Sequence, residues 1–130
     1  MKIKDACIAY QGSEHTIEWY FDKKGKSQAL EYYSSLTPLE RRKVLMLFKR
    51  MGDFGKISDK TKYRNEGNKI YAFKPQPNRF LSFFIEGRKI VITNAFRKKS
   101  DKIPKNEKKK AIDYRLDYLS RKEKGTYYGK

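Results

Sequence analysis

The side chains available for chemistry in this chain are lysine, arginine and tyrosine. There is one histidine, His15, and one cysteine, Cys7. A two-histidine acid–base pair, a zinc-hydrolase helix, a zinc ribbon and an internal disulfide are thereby excluded. Gly55-Lys-Ile-Ser58 lacks the upstream glycine of a phosphate-binding loop, and no Gly-x-Ser-x-Gly nucleophile turn occurs. The carboxylates Asp59, Glu66, Asp101 and Glu107 stand among cations and read as charge balance on a solvated face, not as a paired two-metal site. His15 reads as an ordinary surface residue. What is concentrated is positive charge. Arg97, Lys98, Lys99, Lys102, Lys105, Lys108, Lys109 and Lys110 follow directly on an apolar run, Ile90–Phe96. Like charges this close repel and destabilise a compact state unless an anion neutralises them. The polyanion that does so most naturally is nucleic acid.

Such a set of side chains can cut RNA without a metal. RNA carries its own nucleophile, the 2′-hydroxyl, beside the phosphate it attacks. An enzyme must remove the hydroxyl proton, stabilise the anionic phosphorane and protonate the leaving 5′-oxygen. Arginine or lysine serves the second task. The first needs a base, and free lysine has a pKa of ~10.4, but neighbouring cations disfavour the ammonium and lower that value. Lys98 and Lys99, between Arg97 and Lys102, have such neighbours. The same run would equally serve as a phosphate-docking patch with no catalysis.

Composition points the same way. The 130 residues include 32 Lys+Arg and 15 Asp+Glu, a net charge of +17. Residues 1–55 hold 10 basic and 7 acidic residues, a net of +3, and residues 56–130 hold 22 and 8, a net of +14. The asymmetry is the footprint of a polyanion-binding face. The length fits one domain. At 38% hydrophobic and 15% aromatic the chain can bury a core despite its charge. The N-terminus has no apolar signal core, and the apolar clusters near Phe80–Ile85 and Ile90–Ile92 are too short to span a bilayer. The expectation is a cytoplasmic protein with no membrane association.

The elements that must position these residues follow from pattern. Residues 1–16 are weakly patterned and read as irregular. Thr16–Phe21 alternates and reads as a strand. Ser27 caps a first helix with Ala29, Tyr33 and Leu36 on one face, and Thr37-Pro-Leu-Glu40 is a capping box opening a second, with Val44, Leu47, Phe48 and Met51 inward and Gly52 and Gly55 ending it. Residues 56–68 are polar and read as a loop. Strands over Lys69–Lys74, Arg79–Glu86 and Lys89–Arg97 are joined by turns too short for anything but an antiparallel meander. Residues 104–121 form a last helix with Ile112, Leu116 and Leu119 inward, and 122–130 reads as a mobile basic tail after a domain spanning 1–121. Helices on one face of the sheet would leave the other face and its rim for a ligand. Antiparallel pairing would bring Lys74, Arg79 and Arg97 to one edge.

Phe96-Arg-Lys-Lys-Ser100, then Lys102-Ile-Pro104, then a helix with Ala111 and Arg115, resembles the C-terminal signature of the RelE/ParE toxin superfamily, in its phage-derived, HigB-like branch. Ile70-Tyr-Ala-Phe-Lys74 resembles that branch's Leu-Tyr-Glu-Leu-Arg strand, and Asn78-Arg-Phe-Leu-Ser-Phe-Phe84 its Tyr-Arg-Val-Leu-Tyr strand. Gln28–Leu36 and Leu39–Gly52 resemble its helical hairpin. The likeness covers residues 17–119. It implies an α+β, RelE-like fold: a four-stranded, mainly antiparallel sheet, two N-terminal helices and a C-terminal helix. It implies the toxin of a type II toxin–antitoxin pair, partnered by a helix-turn-helix antitoxin, cutting mRNA on the ribosome without metal or cofactor. By position, Lys74, Arg79, Arg97, Lys98 and Lys99 would hold the phosphate or assist proton transfer. Lys102, Lys105, Lys108, Lys109 and Tyr71 would bind RNA. The family's strand glutamate is Ala72 here and its arginine is Lys74, which loses the bidentate fork. No histidine lies on the meander or its rim. Tyr71, Tyr114 and Tyr118 are further candidates for acid–base or stacking roles.

Two other readings share features with this one. Helix, three antiparallel strands and helix is the order of double-stranded RNA-binding modules, which recognise A-form shape, and Lys108-Lys-Lys-Ala111 matches the start of their last helix. A ParE-type gyrase inhibitor would share fold and partner and cut nothing. On either toxin reading, an acidic antitoxin segment should associate fast with the basic half, and its affinity should fall as salt rises. An affinity that stays flat from low to high salt would contradict charge-steered docking.

Overall fold

The structure is a computed structural model that describes residues 7–128. Six strands make one sheet: β1 Ile8–Gln11, β2 Thr16–Trp19, β3 Tyr63–Gly67, β4 Ile70–Phe73, β5 Asn78–Ile85 and β6 Lys89–Arg97. Three helices accompany them: α1 Gln28–Ser35, α2 Pro38–Phe54 and α3 Lys105–Glu123. The strand order is β1-β2-β6-β5-β4-β3. Only β2 and β6 run parallel, and every other pairing is antiparallel. The sheet therefore has two more strands than the four expected, one at each edge. β1 lies in the stretch read as irregular, whose residues 1–6 fall outside the described residues. β3 lies in the stretch read as a loop. Its sequence, Tyr-Arg-Asn-Glu-Gly, is too polar for a buried strand but suits an edge. Asn68 and Lys69 both have positive φ, +55° and +68°, which is the geometry of a two-residue hairpin turn joining β3 to β4.

Local signals account for the helices. Ser27 caps α1 by accepting from Leu30 N. Thr37 and Glu40 form the full capping box of α2, with Pro38 in the first turn and Gly55 left-handed at its end. Gly52 does not end α2. It lies within the helix, where the β1–β2 turn presses on it: Glu14 N and His15 N both donate to its carbonyl, at 2.7 and 2.9 Å. A Cβ on Gly12 would stand 2.1 Å from the Gly52 carbonyl carbon. Beyond the end of β2 the side-chain amide of Gln28 takes the place of a strand, donating to Ala95 O and accepting from Ala95 N at 2.8 and 2.7 Å.

The helices cover both faces, not one. On the first, α1 and α2 pack Ala29, Val44, Leu47, Phe48 and Met51 on Ile17, Trp19, Phe73, Phe80, Ile90, Ile92 and Ala95. On the second, Ala111 and Tyr118 of α3 pack on Ile70, Ala72, Leu81, Phe83 and Val91. The inward stripe of α3 is centred on Ala111 and Tyr118, with the expected Ile112 and Leu119 half-buried against the same core. Ala111 and Tyr118 are two turns apart and fully buried, and this turns Leu116 outward, 55% exposed. With both faces occupied, a ligand is left with the sheet's ends and the grooves beside the helices. This architecture also departs from the double-stranded RNA-binding module. No described helix is long and apolar enough to cross a membrane.

The stretch expected to be a mobile tail is docked as far as Tyr128; Gly129 and Lys130 lie outside the described residues. Residues 122 and 123 complete α3, and Tyr127 is 1% exposed in the second core. Its hydroxyl accepts from Phe21 N at 2.9 Å. The Tyr128 hydroxyl donates to Glu18 at 2.8 Å and meets the Tyr118 hydroxyl at 2.6 Å. Tyr127→Ala should cost about 3 kcal/mol of unfolding free energy in urea, as for a large aromatic core side chain. A loss under about 0.5 kcal/mol, the effect of an ordinary surface change, would show that the tail does not hold the core.

Candidate functional site

The register of β5 on β6 decides which cations meet. Asn78 pairs with Arg97, and Arg79 with Phe96. Side chains alternate along a strand, so Arg79 shares the α3 face with Leu81 and Phe96, while Asn78 and Arg97 share the α1–α2 face. Lys74 follows β4 two residues after Ala72, which also faces α3. Arg64 pairs with Ala72 and takes the same face, as does Glu66 two residues on. A narrow cleft results at this end of the sheet, closed by the loop into α3. Glu66, Arg79, Asp101, Lys102 and the apolar Ala72, Leu81, Phe96 and Ile103 line it. Its free volume is about 10 Å³, room for one water-sized group such as a single phosphate oxygen.

Two cations are buried at this end of the sheet, Arg79 on the cleft and Lys74 beside it. Lys74 is 9% exposed and Arg79 7%. Lys74 Nζ donates to Lys60 O at 3.3 Å. Arg79 Nη1 donates to Asn78 O at 3.0 Å and to Gln76 Oε1 at 3.4 Å. Among the described residues no carboxylate lies within 4.0 Å of either. Burial and then the charge of Arg79 hold the Lys74 pKa below the ordinary lysine value, and Glu66 and Asp101 oppose this from a distance. Burial likewise lowers the Arg79 value, against the same two carboxylates. Asp101 is held below the usual carboxylate range, chiefly by the hydrogen bond from Lys98 at 3.1 Å and also by the charges of Arg79 and Lys74.

The expected cation cluster is therefore divided. Lys74 and Arg79 come together. Lys98 reaches their surroundings through Asp101, and Lys102 lines the cleft. Arg97 turns to the opposite face, where it pairs with Glu40 at 3.7 Å. There Asn78, fully buried, accepts from the Tyr32 hydroxyl and donates to Glu40 at 3.5 Å. Lys99 is exposed. Tyr71 also lies on the α1–α2 face, stacked on Tyr63 at 5.7 Å with an interplanar angle of 8°. Tyr118 is fully buried core, and Tyr114 stacks on Tyr20 at 4.7 Å. Lys108 reaches the β3–β4 turn, where its Nζ would stand 3.3 Å from a Cβ on Gly67. Lys109 pairs with Asp113 at 3.0 Å, and Lys105 is exposed at the first turn of α3. Cations in that turn oppose the helix dipole, which an approaching phosphate would offset. His15 packs edge-on against Phe84 at the other end of the sheet.

Glu66 and Asp101 are the residues that sequence reasoning set aside. They are separated along the chain but meet on one cleft. The hairpin turn at Asn68-Lys69 is the signal that could have placed Glu66, since it makes residues 63–67 a strand with Glu66 on the face of Ala72.

Residues 31–115 match the model of the family described as phage-derived protein Gp49-like (DUF891). The chain belongs to this family. Gp49-like proteins are a RelE/HigB-like family of toxin–antitoxin systems. The Gp49-like match takes in every cleft residue, all of α2 and the last five residues of α1, and leaves β1, β2 and the docked C-terminal tyrosines outside. No curated protein matches the chain.

A buried cation without an ion-pair partner weakens a fold. The sign for Lys74 follows from its lowered native pKa. The native state binds fewer protons than the unfolded chain, so stability rises with pH from the native value up to the unfolded one. At neutral pH the ammonium is carried at a cost. Lys74→Met should therefore raise the urea midpoint, corresponding to a gain in unfolding free energy of about 1 kcal/mol. A lowered midpoint would make Lys74 a structural cation.

Proposed function

We propose that this Gp49-like chain is the toxin of a type II toxin–antitoxin pair and a metal-independent endoribonuclease of HigB-like type, acting on mRNA at the ribosome, with the Lys74–Arg79 cleft as its active site. The observation that supports it is the pair of buried cations, near enough for the charge of Arg79 to act on Lys74, with no carboxylate within 4.0 Å of either among the described residues. Such a pair carries a standing cost that a bound phosphate removes. A scissile phosphate docks at the cleft mouth with one non-bridging oxygen on Arg79. Lys74, whose charged form is disfavoured by burial and by Arg79, takes the proton from the 2′-hydroxyl in the fraction of molecules that hold it as the free amine. The 2′-oxygen attacks the adjacent phosphorus, Arg79 stabilises the added charge of the phosphorane, and the bond to the 5′-oxygen breaks. Lys102 at the mouth donates the proton to that oxygen, leaving a 2′,3′-cyclic phosphate and a free 5′-hydroxyl. Glu66 and Asp101 temper the repulsion between the two cations without occupying their donors. Lys105 and Lys108 on α3 hold the flanking backbone.

Induced expression of the chain alone should arrest bacterial growth, and a cognate antitoxin should relieve the arrest. In single-turnover cleavage of ribosome-bound mRNA, Lys74→Ala and Arg79→Ala should each lose about a hundredfold or more with RNA binding barely changed. Lys105→Ala and Lys108→Ala should weaken binding and leave the chemical step intact. If cleavage by the first pair falls only as far as binding falls, the cleft docks the backbone and does not catalyse. Growth arrest with intact mRNA and inhibited DNA supercoiling would instead assign the gyrase-directed activity.

A further inference from the structure

A second site lies on the other side of the β4–β5 turn, beside α2. Along α2, Leu39, Lys43, Met46 and Arg50 fall in one narrow arc, since they are spaced four, three and four residues apart. Met46 is 64% exposed and Leu39 56%. A groove of about 310 Å³ runs beside this stripe, with Met46, Leu47 and Pro75 as its apolar floor. Lys43, Arg50 and Lys62 form its rim. Among the described residues none of these three has a carboxylate within 4.0 Å. Asp59, which feels the charges of Arg50 and Lys62, is turned away to Thr61, accepting from its backbone N–H and hydroxyl at 2.9 and 2.6 Å.

We infer that this groove docks an acidic amphipathic helix from a protein partner. The floor is aliphatic and contains a methionine, a side chain that adapts to apolar surfaces. It offers no aromatic ring on which an RNA base could stack. The rim offers positive charge to either side of the floor. Lys43 and Arg50 are about 10.5 Å apart along α2 at 1.5 Å per residue. That is the separation of acidic residues two turns apart on a facing helix, with leucines between them against Met46 and Leu47. Four of its seven lining residues, Lys43, Met46, Leu47 and Arg50, lie in the half of the sequence with little net charge, so the bulk charge asymmetry does not by itself point to it. It also adjoins the cleft. Gln76 lines it and accepts from Arg79, and Lys62 O accepts from Lys74 N at 2.8 Å. A segment held there stands next to the two buried cations. That its source is the antitoxin rests on the toxin reading; the fit of the helix does not.

The test uses the full chain, without ribosomes or cleavage, and three fluorescent probes read by anisotropy. The first is a helical peptide of about 18 residues, with leucines on one face and glutamates on the others. The second is the same peptide with lysine for glutamate, and the third a single-stranded RNA of about 12 nucleotides. The acidic peptide should bind and the basic one should not. Met46→Glu, and separately Lys43→Glu with Arg50→Glu, should weaken the acidic peptide about tenfold or more while leaving the RNA probe unchanged. All three positions are exposed, and unchanged thermal midpoints would show the variants folded. No binding of the acidic peptide to the parent chain, or equal binding to parent and variants, would overturn the inference. So would RNA weakened in place of the peptide, which would make the groove a nucleic-acid track. Each result is independent of whether the chain cuts mRNA.

Discussion

The pairing of β5 with β6 is the constraint on which the rest of the molecule depends. These are the two longest strands, and both are buried along most of their length. Their register sets Arg79 across from Phe96 and Asn78 across from Arg97. Because side chains alternate, that one fact sends Arg79 towards α3 and Arg97 towards α2. A slip of one residue would exchange the two faces and place Phe80 and Ala95 against the wrong core. The catalytic geometry proposed for the cleft is thus tied to the packing of Phe48 and Trp19 on the far side of the sheet.

The same constraint explains how two cations remain buried with no carboxylate in ion-pair contact among the described residues. Lys74 and Arg79 sit at strand ends, where the backbone is fixed by pairing and by the bond from Lys74 N to Lys62 O. Their donors find carbonyl and amide oxygens, which satisfy hydrogen bonding without neutralising charge. Glu66 and Asp101 act on them from beyond ion-pair distance, and Lys98 holds Asp101 aside. A carboxylate in direct contact would stabilise the fold more and leave nothing for a phosphate to displace. A site kept costly in the resting state is the common pattern where binding supplies the compensation.

What could be read from the sequence was what local rules control. Thr37 and Glu40 announced α2, and Ser27 announced α1, because caps are short-range. The meander over residues 69–97 followed from turn lengths. The convergence of Lys74 and Arg79 followed from antiparallel geometry. The edge strands were hidden because β3 carries Arg64, Asn65 and Glu66, which protect an edge but erase the alternating pattern. Arg97 was grouped with Arg79 because both end strands at the same sheet edge, and facing is set by register, which composition does not reveal. The docked tail was hidden because Tyr127 and Tyr128 stand among lysine, glycine and threonine, and only the floor they cover shows why they are aromatic. Glu66 and Asp101 looked scattered because their meeting depends on the β3 hairpin and the loop before α3 together.

Lys74 and Arg79, on the proposed reading, form a phosphate site kept in a disfavoured charge state. NMR titration of the Lys74 ε-methylene, assigned with Lys74→Arg, reads that charge state at the residue itself. It is recorded for the free chain and with RNA carrying a 2′-deoxy group at the cleavage position. Lys74 should titrate below the ordinary lysine value of ~10.4 in the free chain. The RNA should move the signals of Lys74 and the Arg79 guanidinium. A Lys74 that titrates at the ordinary value, with RNA perturbing only the lysines of α3, would contradict that reading.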